Sequence, residues 1–325
     1  MPIRPSASRL GFILKLIGKS LRPATGEQHK PVLVDPSDLG VTFIGHASFL
    51  LQVGGLNILV DPVFAYWLIL VHRLRRPGVR IQDLPPIDAV LLTHAHMDHL
   101  NFPSLRKIIR HTRRITGKAP IAVIPERVED LVAGLGFSDV RSLDWWQSTS
   151  VGGVEITMTP AQHWGARVIR DVHRRYGGYV LRHGPHSVYH SGDTGYFPIF
   201  DEIRRRLAPQ TALLPIGAYS PHGFLHVHMA PEDAVRAFLE LDARHFVPMH
   251  YGTFRLSAEP MEEPLPRLLN AAKDAGIASA VDALREGETR IISSHQHTSV
   301  SHLPPRSMPS RLKNTGSARL EGFAH

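Results

Sequence analysis

His94, His96, Asp98 and His99 crowd three imidazoles and a carboxylate into six consecutive positions of the run THAHMDH (93–99). Buried one by one, each group would need its own hydrogen-bond partner. A shared divalent cation satisfies all of them together. The apolar run AVLLT (89–93) just before them reads as a strand, and strand-to-loop transitions present side chains at a sheet edge where polar groups converge. The chain has no cysteine, so a metal here must sit on His, Asp or Glu, and a thiol nucleophile is excluded. The chemistry this pattern points to is metal-assisted hydrolysis.

One motif cannot complete two coordination shells. Three further residues share its setting at or just past an apolar strand: His163 in TPAQHWGAR, Asp193 in HSGDTGY and His250 in VPMHYGTF. Alone, each is more often a satisfied loop residue. Four polar strand ends in order, each followed by Gly or aromatic residues that let the backbone turn tightly, form a less accidental set.

The elements that must position these residues begin near residue 40. VTFIGH, FLLQV and LNILVD read as a β-meander with a Gly54-Gly55 hairpin turn. Strands are expected at 89–94, 122–125, 154–160, 179–183, 187–193, 212–217 and 245–250, and helices at 103–114, 126–135, 199–207, 231–241 and 264–275. This mixed texture suggests an α/β fold, a two-sheet sandwich flanked by helices. The expected organisation is a basic amphipathic arm (1–30), a catalytic domain (31–295) and a disordered basic tail (296–325).

Hydrophobic residues at 43% and charged residues at 20% of 325 fit a globular chain, and no apolar run approaches the roughly 18 residues that cross a bilayer. The formal charge of +8 resides in the two arms, leaving the segment between them neutral. That placement disfavours a nucleic-acid partner, whose binding proteins carry the positive field on the folded surface. In RLGFILKLIGKSLR (9–22), Leu10, Ile13, Leu14, Ile17 and Leu21 fall at helical spacing opposite Lys15, Lys19 and Arg22. The segment suits either an anionic membrane surface or the protein's own body. The expected location is cytoplasmic, with peripheral contact to the inner membrane as an option.

Asp61 in VDP, THAHMDH, His163, Asp193 and His250 resemble, in this order, the motifs of the metallo-β-lactamase fold superfamily. Within it the chain is similar to N-acylphosphatidylethanolamine-hydrolysing phospholipase D and its bacterial relatives. The similarity rests on FIGHAS (43–48), LVDPVF (59–64), LPPIDAVLLTHAHMDHL (84–100), SLDWW (142–146), TPAQHWGAR (159–167), SGDTGY (191–196), PIGAY (215–219), HMAPEDAVR (228–236) and MHYGTFRLSAE (249–259). The His-x-His-x-Asp-His pattern is shared with lactonases, glyoxalases and nucleases. GDTGY, PIGAY and HYGTF together are more specific.

The resemblance implies a four-layered αβ/βα sandwich of two mixed β-sheets flanked by helices. It implies two Zn²⁺ ions, with Fe or Mn as alternatives: His94, His96 and His163 on one, Asp98, His99 and His250 on the other, Asp193 bridging. A metal-bridging hydroxide would attack phosphorus, with Asp98 and His228 the side chains nearest the chemistry. His228 would bind the phosphoryl group or protonate the leaving oxygen, unless it serves to cap the helix at 231–241, and His226 competes for its role. Asp61 would fix the tautomer of a ligand histidine. His46 stands near the metals or makes a core hydrogen bond. Tyr219 and Trp67 are candidates to touch substrate. The activity implied is phospholipase D-type cleavage of N-acylphosphatidylethanolamine-like lipids. The alternative is a lactonase acting on sugar-phosphate or acyl-homoserine lactones. The partner is then a phospholipid or another small-molecule ester, and a homodimer is left open.

The chain departs from the family after VDPVF, where a longer polar and aromatic loop usually reaches toward the phosphate. Here the sequence runs AYWLILVHRLRRPGVR. Tyr66, Trp67, Leu68, Ile69 and Leu70, followed by His72, Arg73, Arg75 and Arg76, suit a membrane-dipping element or, alternatively, a buried strand.

Overall fold

The computed structural model describes residues 23–167 and 171–294. Its strands β1 (Leu39–Gly45), β2 (Ser48–Val53) and β3 (Leu56–Val60) form the expected meander. Gly54 and Gly55 turn the chain between β2 and β3 with φ of 58° and 76°, the left-handed pair a type I′ turn requires. After β3 comes a small hairpin, β4 (Trp67–Leu68) and β5 (Val71–His72). Strands β6 (Ala89–Leu91), β7 (Ile121–Pro125) and β8 (Asp139–Leu143) then extend the meander in parallel.

The second sheet takes β9 (Ser148–Val151), β10 (Val154–Thr159), β11 (Gly178–His183) and β12 (His186–His190) antiparallel, then β13 (Thr211–Pro215) and β14 (His245–Met249) in parallel. The last strand, β15 (Thr289–Ile292), returns to the first sheet beside β1, giving the orders β15-β1-β2-β3-β6-β7-β8 and β14-β13-β12-β11-β10-β9. Five helices, α1 (Phe102–Thr116), α2 (Glu129–Val132), α3 (Phe200–Leu207), α4 (Pro231–Leu241) and α5 (Pro264–Asp274), complete the described residues' main elements.

Strand side chains alternate between two cores, as a period of two demands. Phe49, Leu51, Val60 and Leu91 of the first sheet meet Ile156, Met158, Leu213 and Val247 of the second. Their neighbours Leu50, Leu59 and Val90 face outward and pack under α1 through Leu105 and Ile108. On the far side Tyr189, Leu214 and Phe246 pack under α3, α4 and α5 through Ile203, Phe238 and Leu268. The result is the αβ/βα sandwich.

In the two large sheets three strands were not foreseen, β8, β9 and β15, and each lies at a sheet edge. Edge strands are half exposed and polar, so DVRSL and STSV carry little apolar alternation. The helix expected over 126–135 shrinks to the single turn of α2, because Arg127, Gly134 and Gly136 all take left-handed φ around it. The basic cluster at 73–76 also differs from expectation. Arg73 is fully buried, its guanidinium donating to the carbonyls of Val63 at 2.5 Å and Ala65 at 3.1 Å.

The amphipathic segment 9–22 and the tail 296–325 lie outside the described residues. Residues 23–30 run along 74–78, with Thr25 N–H donating to Leu74 O at 3.0 Å and His29 N–H to Gly78 O at 2.7 Å. No described helix is long and apolar enough to cross a membrane.

Candidate metal centre

The C-terminal ends of β6, β10, β12 and β14 open onto one spot, and each delivers a piece of the cluster. Beyond β6 the chain passes through 94–99 before Asn101 caps α1 by accepting from Ser104 N–H at 3.1 Å. His163 follows β10, Asp193 follows β12 and His250 follows β14. His46, Asp61 and His250 hold φ of 62°, 45° and 59°. Left-handed non-glycine residues gathered at one place mark a functional site, where surrounding structure must hold the strain.

His94, His96 and His163 form one pole. The Nε2 of His94 and the Nε2 of His163 stand 2.8 and 3.2 Å from the Nδ1 of His96. Asp98, His99 and His250 form the other pole, with all their donor atoms within 4.8 Å of one another. Asp193 lies between. Its Oδ2 is 3.0 Å from His250 Nε2, 3.2 Å from His99 Nε2 and 3.9 Å from the Nε2 of both His94 and His163. One carboxylate thus reaches both poles.

The tautomers suit a cation. Asp61 accepts from His99 Nδ1 at 2.7 Å, which leaves Nε2 as a lone pair facing inward. The same carboxylate accepts from the Thr93 hydroxyl at 2.6 Å, and that hydroxyl oxygen stands 2.9 Å from His94 Nδ1. Since its proton is committed to Asp61, Thr93 accepts from His94 and frees Nε2. His163 Nδ1 donates to Val227 O at 3.1 Å with the same consequence. Asp61 therefore orients one ligand histidine directly and a second through Thr93.

What remains unpartnered is the further sign. His99 Nε2 and His250 Nε2 stand 3.2 and 3.0 Å from Asp193 Oδ2 without the alignment of a hydrogen bond, and Asp193 Oδ1 and His228 Nδ1 are buried without a partner. Buried polar atoms that converge from two sides without aligned partners cost free energy unless a cation joins them. The donor set of imidazoles and carboxylates without sulfur fits a divalent metal of the zinc, iron or manganese kind.

Burial opposes charge throughout the centre, and neighbours decide the sign. It pushes the His94 and His163 imidazoles well below their ordinary value. Burial works against the carboxylates of Asp98 and Asp193, yet the adjoining histidines hold both well below the usual carboxylate range. His250 is likewise opposed by burial but raised to about 9 by Asp193 and Asp98. The centre is thus arranged around two ionised carboxylates.

The supporting candidates separate clearly. His228 Nδ1 stands 3.9 Å from Asp193 Oδ2, inside the cluster. It makes no capping bond to α4: its Nδ1 has no hydrogen-bond partner, and the N-cap residue is Ala230, whose N–H is taken by Asp233 at 3.4 Å. His226 is exposed, and only its carbonyl is engaged, by Gln162 at 2.8 Å. His46 Nε2 lies 2.9 Å from Asp98 Oδ2, and its backbone joins the His250 loop at both ends: its carbonyl accepts from His250 N–H at 2.9 Å, and its N–H donates to Thr253 Oγ1 at 2.8 Å. Tyr219 does not point at the cluster's polar atoms but donates to Glu263 at 2.8 Å. Trp67 sits on the exposed β4–β5 hairpin. Trp164 stacks on His163, ring centroids 4.7 Å apart, and is itself 43% exposed, so it covers that ligand histidine from solvent.

Sequence reasoning missed Glu259. Its buried carboxylate accepts from Ala218 N–H at 2.7 Å, Ser220 N–H at 3.1 Å and the Ser257 hydroxyl at 2.5 Å. It clamps the PIGAY loop against the strand end that carries His250. Its place in HYGTFRLSAE was the only signal.

A profile for the β-lactamase superfamily domain matches residues 56–251, and the chain belongs to this superfamily, as a metal-dependent hydrolase. It is 34% identical over 258 residues to an uncharacterised protein of Mycobacterium tuberculosis, covering 76% of this chain and 68% of that one. It is 30% identical over 256 residues to N-acyl-phosphatidylethanolamine-hydrolyzing phospholipase D 1 of Caenorhabditis elegans, covering 73% and 72%. Among solved structures, the metallo hydrolase Igni18 of Ignicoccus hospitalis superposes with a TM-score of 0.60 at 27% identity, over 79% of this chain and 99% of that one.

Proposed function

We propose that the chain is a binuclear zinc phosphodiesterase of the phospholipase D type, hydrolysing N-acylphosphatidylethanolamine-like lipids to phosphatidic acid and an N-acylethanolamine. The similarity to a phospholipase D over 73% of this chain carries the choice of substrate, and the donor set carries the metal chemistry. His94, His96, His163, His99 and His250 are neutral ligands when metal is bound, and only Asp98 and Asp193 bring negative charge to the two poles. A pair of divalent ions held by so few anionic ligands would stay Lewis-acidic toward a phosphoryl oxygen. The similarity to the nematode phospholipase supports the same substrate class.

Bound ions would supply Lewis acidity and a water of lowered pKa, so no side chain need act as nucleophile. The protein's own groups do the rest. Asp193 ties the two poles at a fixed separation. Asp61 and Thr93 hold the tautomers, and His46 orients Asp98. His228, with Nδ1 free of protein partners, can hydrogen-bond a phosphoryl or leaving oxygen. Trp164 shields the His163 side from water.

The test is turnover by metal-loaded protein of N-acylphosphatidylethanolamine in mixed micelles, read as release of phosphatidic acid and N-acylethanolamine. A panel of soluble lactones runs beside it. Hydrolysis of lactones with none of the lipid would overturn the substrate assignment.

A further inference from the structure

The β4–β5 hairpin holds apolar side chains in the open. Tyr66, Trp67, Ile69 and Leu70 are 41, 48, 70 and 55% exposed at its tip. Leu68 between them turns inward to Val63 and Phe254. Four large apolar side chains on one short protrusion make a contiguous patch rather than scattered surface residues. The backbone adds to the anomaly. Ile69 takes φ of 54°, a left-handed conformation that Gly or Asn adopts readily and a β-branched residue does not. A turn needed only for chain reversal gains nothing from isoleucine there, and an outlier of this kind points to a role for the exposed side chain itself.

The hairpin is braced. Arg73 locks its base through the carbonyls of Val63 and Ala65, and its guanidinium lies 4.8 Å over the Phe254 ring. Phe254 in turn meets the His46 ring edge-on at 5.2 Å, and His46 holds Asp98. The tip is therefore a rigid projection beside the metal centre. Its electrostatics select the environment it would enter. No acidic residue occurs between Asp61 and Asp83, and Arg75 and Arg76 are exposed just behind the tip, Arg75 3.7 Å from Glu286 and Arg76 donating through Nε to Ala24 O at 3.2 Å, with their remaining N–H groups open to an anion. Exposed tryptophan, tyrosine and aliphatic side chains backed by arginines match an anionic lipid interface, with rings and chains in the acyl boundary and guanidinium groups at phosphate depth.

We infer that the hairpin tip, residues 66–70, inserts into an anionic phospholipid surface and so holds the metal centre, to which Phe254 and His46 connect it, close to that surface. The inference rests on the lipid reading above for its purpose, but its test does not require turnover.

Full-length metal-loaded protein is mixed with vesicles of phosphatidylcholine carrying phosphatidylglycerol, some with bromine on the upper acyl chain. Binding is expected, with tryptophan fluorescence quenched by the brominated lipid and much of that quenching lost in Trp67→Phe. The double variant Ile69→Asp/Leu70→Asp is expected to bind these vesicles at least about tenfold more weakly, the scale of two aliphatic side chains withdrawn from the interface, while keeping its melting temperature and metal content. Wild-type binding that the double variant retains would overturn the inference, as would quenching unchanged in Trp67→Phe. A wild type that ignores the vesicles but forms a dimer that the double variant loses would overturn it too, by assigning the tip to a second copy. Insertion without hydrolysis of N-acylphosphatidylethanolamine would leave this inference standing and remove the proposed substrate.

Discussion

Asp61 accepts the Nδ1–H of His99 at 2.7 Å, with both side chains wholly shielded from water. Carboxylates behind a ligand histidine are worth roughly 10- to 100-fold in metal affinity. Asp61→Asn is expected to weaken metal binding by about that factor, read by competition against a chelator of known affinity. Wild-type affinity in the variant would mean that the His99 tautomer is set by something else.

Asp193 is the carboxylate within reach of both poles. Asp193→Ala should reduce the metal content from a pair of ions to a single ion or none. Turnover should fall by at least about 100-fold, the scale of losing one electrostatic contact in a preorganised site. Elemental analysis of the purified variant checks the first outcome and steady-state kinetics the second.

Gly217 shows how tightly the PIGAY loop is pressed on the centre. A Cβ there would lie 2.3 Å from the carbonyl oxygen of His250, whereas one at Gly223 would meet nothing within 4 Å. Gly217→Ala must shift the backbone that carries His250 and is expected to cost about 1–3 kcal/mol, with loosened metal binding. Gly223→Ala is the control and should leave the melting temperature in place.

Protein stripped of metal should lose stability on mild acidification. Burial lowers His46 to about 3 and His228 to about 4, and holds His94 and His163 well below their ordinary value. An unfolded chain protonates these groups near pH 6.5. Between about pH 6.5 and 4 the unfolded state then binds more protons, so stability falls with pH. His99 and His250, whose values are raised, are charged in both states below pH 6.5 and add no slope there. Melting curves of chelator-treated protein at pH 7 and 5 test this, and a higher melting temperature at pH 5 would contradict it. At pH 7, chelation itself should lower the melting temperature, since ions at 100 times their dissociation constant contribute about 2.7 kcal/mol to the folded state.

The metal centre was legible in the sequence because its residues sit where strong apolar strands end. AVLLT, SVYH and HFVPM are buried on both faces, so their hydrophobic runs are unmistakable and the polar residues after them stand out. The edge strands β8, β9 and β15 carry no such signal, whereas β14, also at an edge, is buried and does. Arg73 could not be read either. In HRLRR it looks like one more surface cation, and only the folded hairpin shows that its guanidinium closes backbone carbonyls instead of facing lipid. Glu259 was hidden for a related reason: its partners, Ala218 and Ser220, are backbone amides about forty residues away, and no side-chain pattern records them.

Anomalous diffraction at the zinc edge from crystals of the zinc-loaded protein probes the core of this account. Two adjacent peaks are expected, one bound by His94, His96 and His163, the other by Asp98, His99 and His250, with Asp193 touching both. A single peak, or a second one away from Asp193, would contradict the two-ion centre and the chemistry built on it.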